Sequence, residues 1–136
     1  MIPAEMAALH ARCFTTPRPW TELEFAGFLA DPGVFAAFDP AGFALGRVVA
    51  DEAELLTLAV APEHRRQGRA RSLLTALEGD AARRGAATLF LEVAADNDPA
   101  IRLYRAASYR EVGRRRFYYR REGAPPVDAL VMSKAL

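Results

Sequence analysis

The sequence contains few of the residues that build disulfides and metal sites. It has one cysteine, Cys13, and two histidines, His10 and His64, among 136 residues. A single cysteine excludes an internal disulfide, and two scattered histidines predict no metal site. Because no local His/Asp pair accompanies Cys13, we expect a buried, unreactive thiol rather than a nucleophile.

Long apolar runs and targeting segments are also missing. No run approaches the ~20 apolar residues that a membrane-spanning helix requires. Residues 1–6, Met-Ile-Pro-Ala-Glu-Met, have neither the basic start nor the apolar centre of a signal peptide. We therefore expect a cytoplasmic protein, in a reducing compartment, that has no membrane partner.

Composition and charge suit one globular domain over residues 1–136. Hydrophobic residues make up 51% of the chain and charged residues 26%, which is typical of a folded domain with a single core. The net charge of +1 hides a division, because residues 1–60 carry 3 basic and 8 acidic side chains and residues 61–136 carry 15 and 9. The basic half favours an anionic ligand, whereas the near-neutral total argues against a dedicated nucleic-acid binder.

Helical and strand patterns alternate along the chain. They predict helices at about 3–13, 22–31, 69–84 and 98–107, and strands at about 34–38, 43–49, 53–60, 88–94, 109–118 and 127–134. Thr21 opens the second helix through a capping box with Glu24. Gly85 ends the third helix, and Asp98 is the expected N-cap of the fourth. A turn-rich segment, 122–126, joins the last two strands as a hairpin. This order predicts an α/β domain with a mixed sheet and helices on both faces.

Residues 64–71, His-Arg-Arg-Gln-Gly-Arg-Ala-Arg, have the arrangement of a phosphate-binding loop. An apolar strand ends before them, Gly68 leaves room for a ligand, and a helix begins near Arg69. Backbone N–H groups without intrahelical partners can then donate to an anion. The helix dipole stabilises the bound anion by a further ~0.3–2 kcal/mol. A solvated basic surface is the alternative interpretation of such a loop. The spacing favours a phosphorylated cofactor.

The loop lacks the two commoner phosphate fingerprints. It contains neither Gly-x-Gly-x-x-Gly nor Gly-Lys-Ser/Thr, which disfavours a dinucleotide or a nucleoside triphosphate. The remaining pattern, Gln/Arg-x-x-Gly-x-Ala over residues 65–70, resembles the pyrophosphate loop of the GNAT acyltransferases. In that family an acyl-coenzyme A (acyl-CoA) lies against the helix start, and the last position is Gly or Ala, here Ala70.

Glu92 and Tyr104 are candidate proton-transfer residues. Glu92 interrupts Leu-Phe-Leu-Glu-Val, a strand that is apolar on both faces, so we expect its carboxylate to be at least half buried. An exposed edge position fits the same pattern. Tyr104 follows on the next helix, where its hydroxyl can return over the carboxyl end of the strand. A core aromatic is the alternative interpretation of Tyr104.

Motifs along nearly the whole chain resemble the RimI-type protein N-terminal acetyltransferases of the GNAT superfamily. The central ones are 58–60 (Leu-Ala-Val), 66–68 (Arg-Gln-Gly), 91–93 (Leu-Glu-Val), Asn97 and 100–104 (Ala-Ile-Arg-Leu-Tyr), and the flanking ones are 19–22 (Pro-Trp-Thr-Glu), 115–119 (Arg-Arg-Phe-Tyr-Tyr) and 128–132 (Asp-Ala-Leu-Val-Met). Two positions depart from the family pattern. Ser108-Tyr109 replaces the usual Gly-Phe, and Ala70 stands where RimI proteins often have Gly. Ser108 would be strained in a left-handed helix end, so a local difference is expected there.

The resemblance implies a GNAT fold, with a central, mostly antiparallel sheet and a V-shaped cofactor cleft. It implies acetyl transfer from acetyl-CoA, as co-substrate and without a metal, to the α-amino group of a protein N-terminus by direct amine attack. RimI proteins acetylate a ribosomal small-subunit protein, typically one with N-terminal alanine. Glu92 would be the general base and Tyr104 the general acid. Coenzyme A would contact Leu58, Ala59, Val60, Arg66, Gln67, Gly68, Arg69, Ala70, Arg71 and Asn97.

Trp20, Tyr118 and Tyr119 are the candidate peptide-binding residues. They can wall a slot for an extended N-terminus, although core and hairpin packing explains them equally well. A backbone N–H near Val60 is the expected donor to the oxyanion. Three other functions stay open at this point: acetylation of a small-molecule amine, a non-catalytic acyl-CoA sensor, and RNA binding by the arginines of residues 110–121, which lack a stacking platform.

Overall fold

The computed structural model describes all residues, 1–136, and contains four helices and one six-stranded sheet. In chain order the elements are α1 (Pro3–Cys13), α2 (Glu22–Ala30), β1 (Val34–Asp39), β2 (Gly42–Val49), β3 (Glu52–Val60), α3 (Arg69–Arg83), β4 (Thr88–Ala94), α4 (Asp98–Ala106), β5 (Arg110–Arg121) and β6 (Ala124–Ala135). A short 3-10 turn, Pro62–His64, follows β3. The predicted alternation of helix and strand is confirmed.

The strands lie in the order β1-β2-β3-β4-β6-β5. All neighbours are antiparallel except β3 and β4, which α3 connects as a crossover. These two strands pair only where residues 52–54 meet residues 88–90, and beyond that point they separate. The separation opens a V-shaped cleft at the carboxyl ends of both strands. The predicted mixed, mostly antiparallel sheet with a cleft is confirmed.

A β-bulge in β3 lies where the two strands part. Leu55 and Thr57 pair with consecutive residues of β2, which leaves Leu56 without a partner. Leu56 and Thr57 therefore both face α1, where Leu56 packs against the buried cluster under that helix and Thr57 bonds to His10. A bulge bends its strand and increases the local twist, which helps to part β3 from β4.

Two apolar cores hold the helices against the sheet. α3 and α4 pack on one face, where α3 contributes Leu73, Leu74 and Leu77 at the predicted helical spacing. α1 and α2 pack on the other face around Met6 and Phe25. Helices on both faces of the sheet are therefore confirmed. None of the helices has the length and hydropathy of a membrane span.

Helix starts follow the predicted signals with one exception. The Thr21 hydroxyl accepts from the Glu24 N–H, and the Glu24 carboxylate accepts from the Thr21 N–H, which completes the capping box. The N-cap of α4 is Asn97, whose Oδ1 accepts from the Ala100 N–H at 3.3 Å. The prediction of Asp98 as N-cap was wrong, because Asp98 occupies the first helical position and the proline after it fits the second as well as the first.

Ser108 ends α4 in the left-handed conformation, with φ of 76°. The Ser108 N–H donates to the carbonyl of Arg105, and the Tyr109 N–H donates to that of Tyr104, as in a Schellman motif. The helix end thus has the geometry that glycine would give, and the expected difference is absent. The strain of roughly 1–2 kcal/mol is tolerated.

The last hairpin has a tighter turn than predicted. Residues 122–126 were expected to form the turn, but β6 begins at Ala124, and only the two residues before it turn. Gly123 provides the positive φ of 70°. Pro125 and Pro126 fit within β6 because neither has a paired residue on β5, the irregular edge strand.

Candidate active site

A cleft of about 890 Å³ occupies the gap between β3 and β4. It brings together all but one of the residues predicted to form the site. Those that line it are Trp20, Leu58, Ala59, Val60, Arg66, Gly68, Arg69, Ala70, Arg71, Glu92, Asn97, Tyr104, Tyr118 and Tyr119. Gln67 is the predicted residue that lies outside the lining.

The loop before α3 offers a backbone site for an anion. Gly68 is the N-cap of α3 with φ of 75°, and a Cβ atom there would meet no atom within 4 Å. No side chain caps the helix, and its first bond runs from the Ser72 N–H to the Gly68 carbonyl. The N–H groups of residues 69–71 therefore have no intrahelical partner. This open, donor-rich helix start fits a diphosphate.

The four arginines of this loop differ in their partners. Arg65, Arg66 and Arg71 line the cleft as exposed side chains outside the ion pairs of the chain. Arg69 instead places Nη1 at 3.3 Å from Asp39 Oδ2, and its Nε donates to the Gln67 Oε1 at 3.0 Å. Gln67 and Arg69 thus tie the loop to the β1–β2 turn, while the other three arginines supply charge for a ligand.

The edge of β3 that faces the cleft has no strand partner beyond residue 54. Leu58, Ala59 and Val60 form this free edge next to the loop. Its other edge pairs closely with β2: a Cβ atom on Gly42 would lie 2.5 Å from the Ala59 carbonyl oxygen. Asn97, the N-cap of α4, lines the same cleft. A linear ligand can therefore lie along β3 between α3 and α4.

Glu92 lies in the middle of β4 with its side chain 27% exposed, which agrees with the half-buried position expected from the strand pattern. Its flanking residues Leu91 and Val93 belong to the core under α3 and α4, so Glu92 faces the α1 side of the sheet. Its Oε1 lies 2.8 Å from Arg115 Nε on β5. The carboxylate lines the cleft from that side.

Tyr104 is buried on α4, with only 8% of its surface exposed, and it lines the cleft. Burial, with a smaller effect from Tyr119, raises the pKa of the Tyr104 phenol above its ordinary value. Its ring packs edge-on against Tyr109 at 5.9 Å. Tyr109 lies outside the cleft lining, and its hydroxyl donates to Glu78 at 2.8 Å. Of these two buried phenols, Tyr104 is the one available to a ligand.

Tyr118 and Tyr119 reach the cleft from an irregular part of β5. The strand register shifts between Arg115 and Tyr119, and Phe117 adopts φ of 52°. Asp128 holds this bulge, because its carboxylate accepts from the Phe117 N–H at 2.9 Å and from the guanidinium of Arg114. Burial, followed by the charge of Glu92, raises the pKa of Tyr119 to about 12, so its phenol stays protonated at neutral pH.

His10 is a cleft residue that the sequence analysis did not identify. It is 1% exposed, and its Nδ1 accepts from the Trp20 N–H at 3.0 Å. A neutral ring must then carry its proton on Nε2, which lies 2.8 Å from Thr57 Oγ1. Burial lowers the pKa of His10 to about 4. His10 therefore links the backbone of Trp20 to Thr57 on β3.

Cys13 differs from its prediction. It is half buried rather than buried, because it ends α1 at the rim of the cleft, and its Sγ donates to the Val60 carbonyl at 3.3 Å.

No group of three His, Cys, Asp or Glu side chains in the chain has the spacing to hold a metal ion.

Comparison with known proteins agrees with this geometry. Residues 4–109 match the acetyltransferase (GNAT) family. The [ribosomal protein bS18]-alanine N-acetyltransferase of Escherichia coli (strain K12) is 40% identical over 122 residues, which cover 83% of this chain and 79% of that protein. The N-alpha-acetyltransferase RimI of Mycobacterium tuberculosis is 38% identical over 137 aligned positions, covering 94% of this chain and 83% of that one.

A solved structure shows the same similarity. The crystal structure of the ribosomal-protein-S18-alanine N-acetyltransferase from Escherichia coli superposes with a TM-score of 0.85 at 35% identity, covering 98% of this chain and 86% of that chain. The chain therefore belongs to the GNAT family of acetyltransferases and, within it, to the RimI-like N-acetyltransferases that depend on acetyl-CoA.

Proposed function

We propose that this enzyme acetylates the N-terminal α-amino group of a protein, and that its natural acceptor is a ribosomal small-subunit protein that begins with alanine. The name of the Escherichia coli relative specifies ribosomal protein bS18 and its alanine, which supports this choice of acceptor. The observation that carries the proposal is the common cleft. The cleft is lined by the phosphate loop, by Glu92 and Tyr104, and by the aromatic residues of the proposed acceptor side, Trp20, Tyr118 and Tyr119.

Acetyl-CoA would lie along the free edge of β3 with its diphosphate at Gly68. The N–H groups of residues 69–71 would bind the phosphate oxygens, and Arg65, Arg66 and Arg71 would add charge. The edge formed by residues 58–60 would accept and donate backbone hydrogen bonds along the pantetheine arm. This placement would bring the thioester to the part of the cleft that Glu92 and Tyr104 line.

Transfer requires the amine nitrogen to bond to the acetyl carbon as the bond from that carbon to sulfur breaks. An α-amine has an ordinary pKa near ~8 and is mostly protonated at neutral pH. The ammonium therefore loses one proton to solvent before it can attack. As the neutral nitrogen bonds to carbon, Glu92 takes the second proton that it loses, directly or through one water, and exchange with solvent later returns a proton to Tyr104. The backbone N–H near Val60 donates to the carbonyl oxygen as negative charge develops on it.

Tyr104 completes the transfer by giving its proton to the departing thiolate. The raised pKa of Tyr104 keeps the phenol protonated until the thiolate forms, and a thiolate formed in the same desolvated cleft is itself a stronger base. The products are the acetylated chain end and the CoA thiol. No covalent bond to the enzyme forms in this scheme.

Acceptor preference can be measured directly. The purified protein is incubated with acetyl-CoA and with peptides that differ only in their first residue, and mass spectrometry locates the added acetyl group. We expect acetylation at the α-nitrogen, with alanine preferred. A panel of polyamines serves as the competing acceptor, and faster acetylation of a polyamine than of every peptide would contradict the proposal.

Two variants test the catalytic roles. Glu92→Gln and Tyr104→Phe should each lower kcat by about 10²–10⁴-fold, which is the usual contribution of one proton-transfer group, while calorimetry shows acetyl-CoA binding unchanged. Tyr109→Phe is a matched control, because Tyr109 is the buried phenol next to Tyr104 but lies outside the cleft. Undiminished turnover in either catalytic variant would remove that assignment.

A further inference from the structure

Glu92 is held by a cation that does not face the cleft. Arg115 Nε lies 2.8 Å from Glu92 Oε1. Glu92 lines both the main cleft and a neighbouring pocket of about 310 Å³, whereas Arg115 lines only the smaller pocket. The guanidinium therefore approaches the carboxylate from the side of the smaller pocket.

Strand register explains how Arg115 reaches this position. β6 lies between β4 and β5, and Val131 on β6 pairs with Glu92 while Ala129 pairs with Arg115. Because Val131 and Ala129 are two residues apart, all four side chains project from the same face of the sheet. Arg115 therefore crosses β6 on the face that carries Glu92.

A second contact anchors the same guanidinium. It lies over the ring of Tyr118 at 5.3 Å from the ring centre, and Tyr118 is one of the aromatic residues of the acceptor side. A planar guanidinium can stack on a ring and pair with a carboxylate at once, which an ammonium does less well. Arg115 thus connects Glu92 to Tyr118.

Exposure argues against a purely structural role for this ion pair. The Arg115 side chain is 57% exposed, and ion pairs in contact with water contribute little to folding. The contact instead restricts where the Glu92 carboxylate can lie, and a general base must lie within reach of the proton that it accepts.

We infer that Arg115 is a positioning residue for Glu92, which holds the carboxylate in place where the smaller pocket meets the main cleft and where the acceptor amine would approach. This inference rests on the proposed function, since it requires Glu92 to take the amine proton.

The test is kcat and KM with an alanine-initiated peptide for wild type, Arg115→Gln, Arg115→Lys and Arg120→Gln. Without the guanidinium the carboxylate is no longer held, so Arg115→Gln should lower kcat about two- to tenfold. Arg115→Lys should fall between Arg115→Gln and wild type. Arg120, an exposed arginine of the same strand, provides the control, and its variant should match wild type.

A double-mutant cycle separates positioning from general damage to β5. In a Glu92→Gln background, Arg115→Gln should cause no further loss, because the group on which Arg115 acts is gone. KM for acetyl-CoA should stay the same in all variants.

The outcomes distinguish this inference from the proposed function. If Glu92→Gln lowers kcat as expected but Arg115→Gln leaves kcat unchanged, Arg115 has no positioning role and the proposed function stands. A loss from Arg115→Gln that recurs at the same size in the Glu92→Gln background would likewise overturn the inference. If Glu92→Gln keeps full turnover, the proposed role of Glu92 fails first.

Discussion

The two walls of the cleft use different parts of the chain. The proposed carrier wall, which we define as residues 58–60, 65, 66, 68–71 and Asn97, presents backbone N–H groups, a free strand edge and arginines. The proposed acceptor wall, which we define as His10, Trp20, Glu92, Tyr118 and Tyr119, presents side chains from α1, the segment before α2, β4 and β5. Backbone donors do not titrate, whereas imidazole and carboxylate groups do. Low pH should therefore destabilise the acceptor wall first. Backbone strain should have its largest effect on ligand binding at the carrier wall.

The largest expected effect is acid destabilisation through His10. The pKa of His10 falls from its ordinary 6.5 to about 4 in the folded chain, so between these values the unfolded chain binds the proton more readily. The stability contributed by neutral His10 is complete above about pH 6.5 and is lost as the pH falls towards 4, at a cost of roughly 3 kcal/mol. Protonation at Nδ1 also removes the acceptor for the Trp20 N–H.

Urea unfolding at pH 7 and pH 4.5 measures this loss. His10→Gln should be less stable than wild type at pH 7 and should lose less stability between the two pH values. His64→Gln is the control, because His64 is the other histidine and lies in the 3-10 turn rather than under Trp20. Equal pH dependence in wild type and His10→Gln would show that the two walls do not differ in this way.

The carrier wall could be predicted because it is local. Its phosphate donors lie within a few consecutive residues, and a strand, a glycine and a helix start determine where they point. Even there, local reasoning failed between neighbours. Asn97 rather than Asp98 caps α4, because both side chains can accept the capping bond and the proline fits either start.

The acceptor wall depends on pairs that no local pattern reveals. His10 and Thr57, for example, are 47 residues apart. Glu92 itself was identified from a strand pattern and a family motif, but its Arg115 partner depends on the order of β4, β6 and β5. A sequence specifies such pairs only through the finished sheet.

The next expected effect tests backbone strain at the carrier wall. Gly68→Ala places a side chain at φ of 75°, and left-handed backbone costs an L-residue about 1–2 kcal/mol. We expect acetyl-CoA binding, measured by calorimetry, to weaken about tenfold, with little change in KM for the peptide. Gly27→Ala is the matched control: Gly27 also has open space around it but lies inside α2, where alanine favours the helix. Equal acetyl-CoA affinities in the two variants would mean that the left-handed conformation of Gly68 is not required for binding.

The smallest expected effect concerns the brace between Asp39 and Arg69. Asp39→Asn keeps the side-chain oxygen that accepts from the Ala41 N–H at 2.6 Å but removes the charge that pairs with Arg69. If this pair orders the loop, acetyl-CoA affinity should fall about two- to fivefold, as expected for a partly exposed ion pair. If Asp39 instead withholds Arg69 from the phosphates, the same variant should bind acetyl-CoA more tightly and with a steeper dependence on salt, because one more cation would reach the anion. Calorimetry at two salt concentrations decides between these results. Tighter binding would mean that Arg69 can bind the phosphates of acetyl-CoA rather than only support the loop.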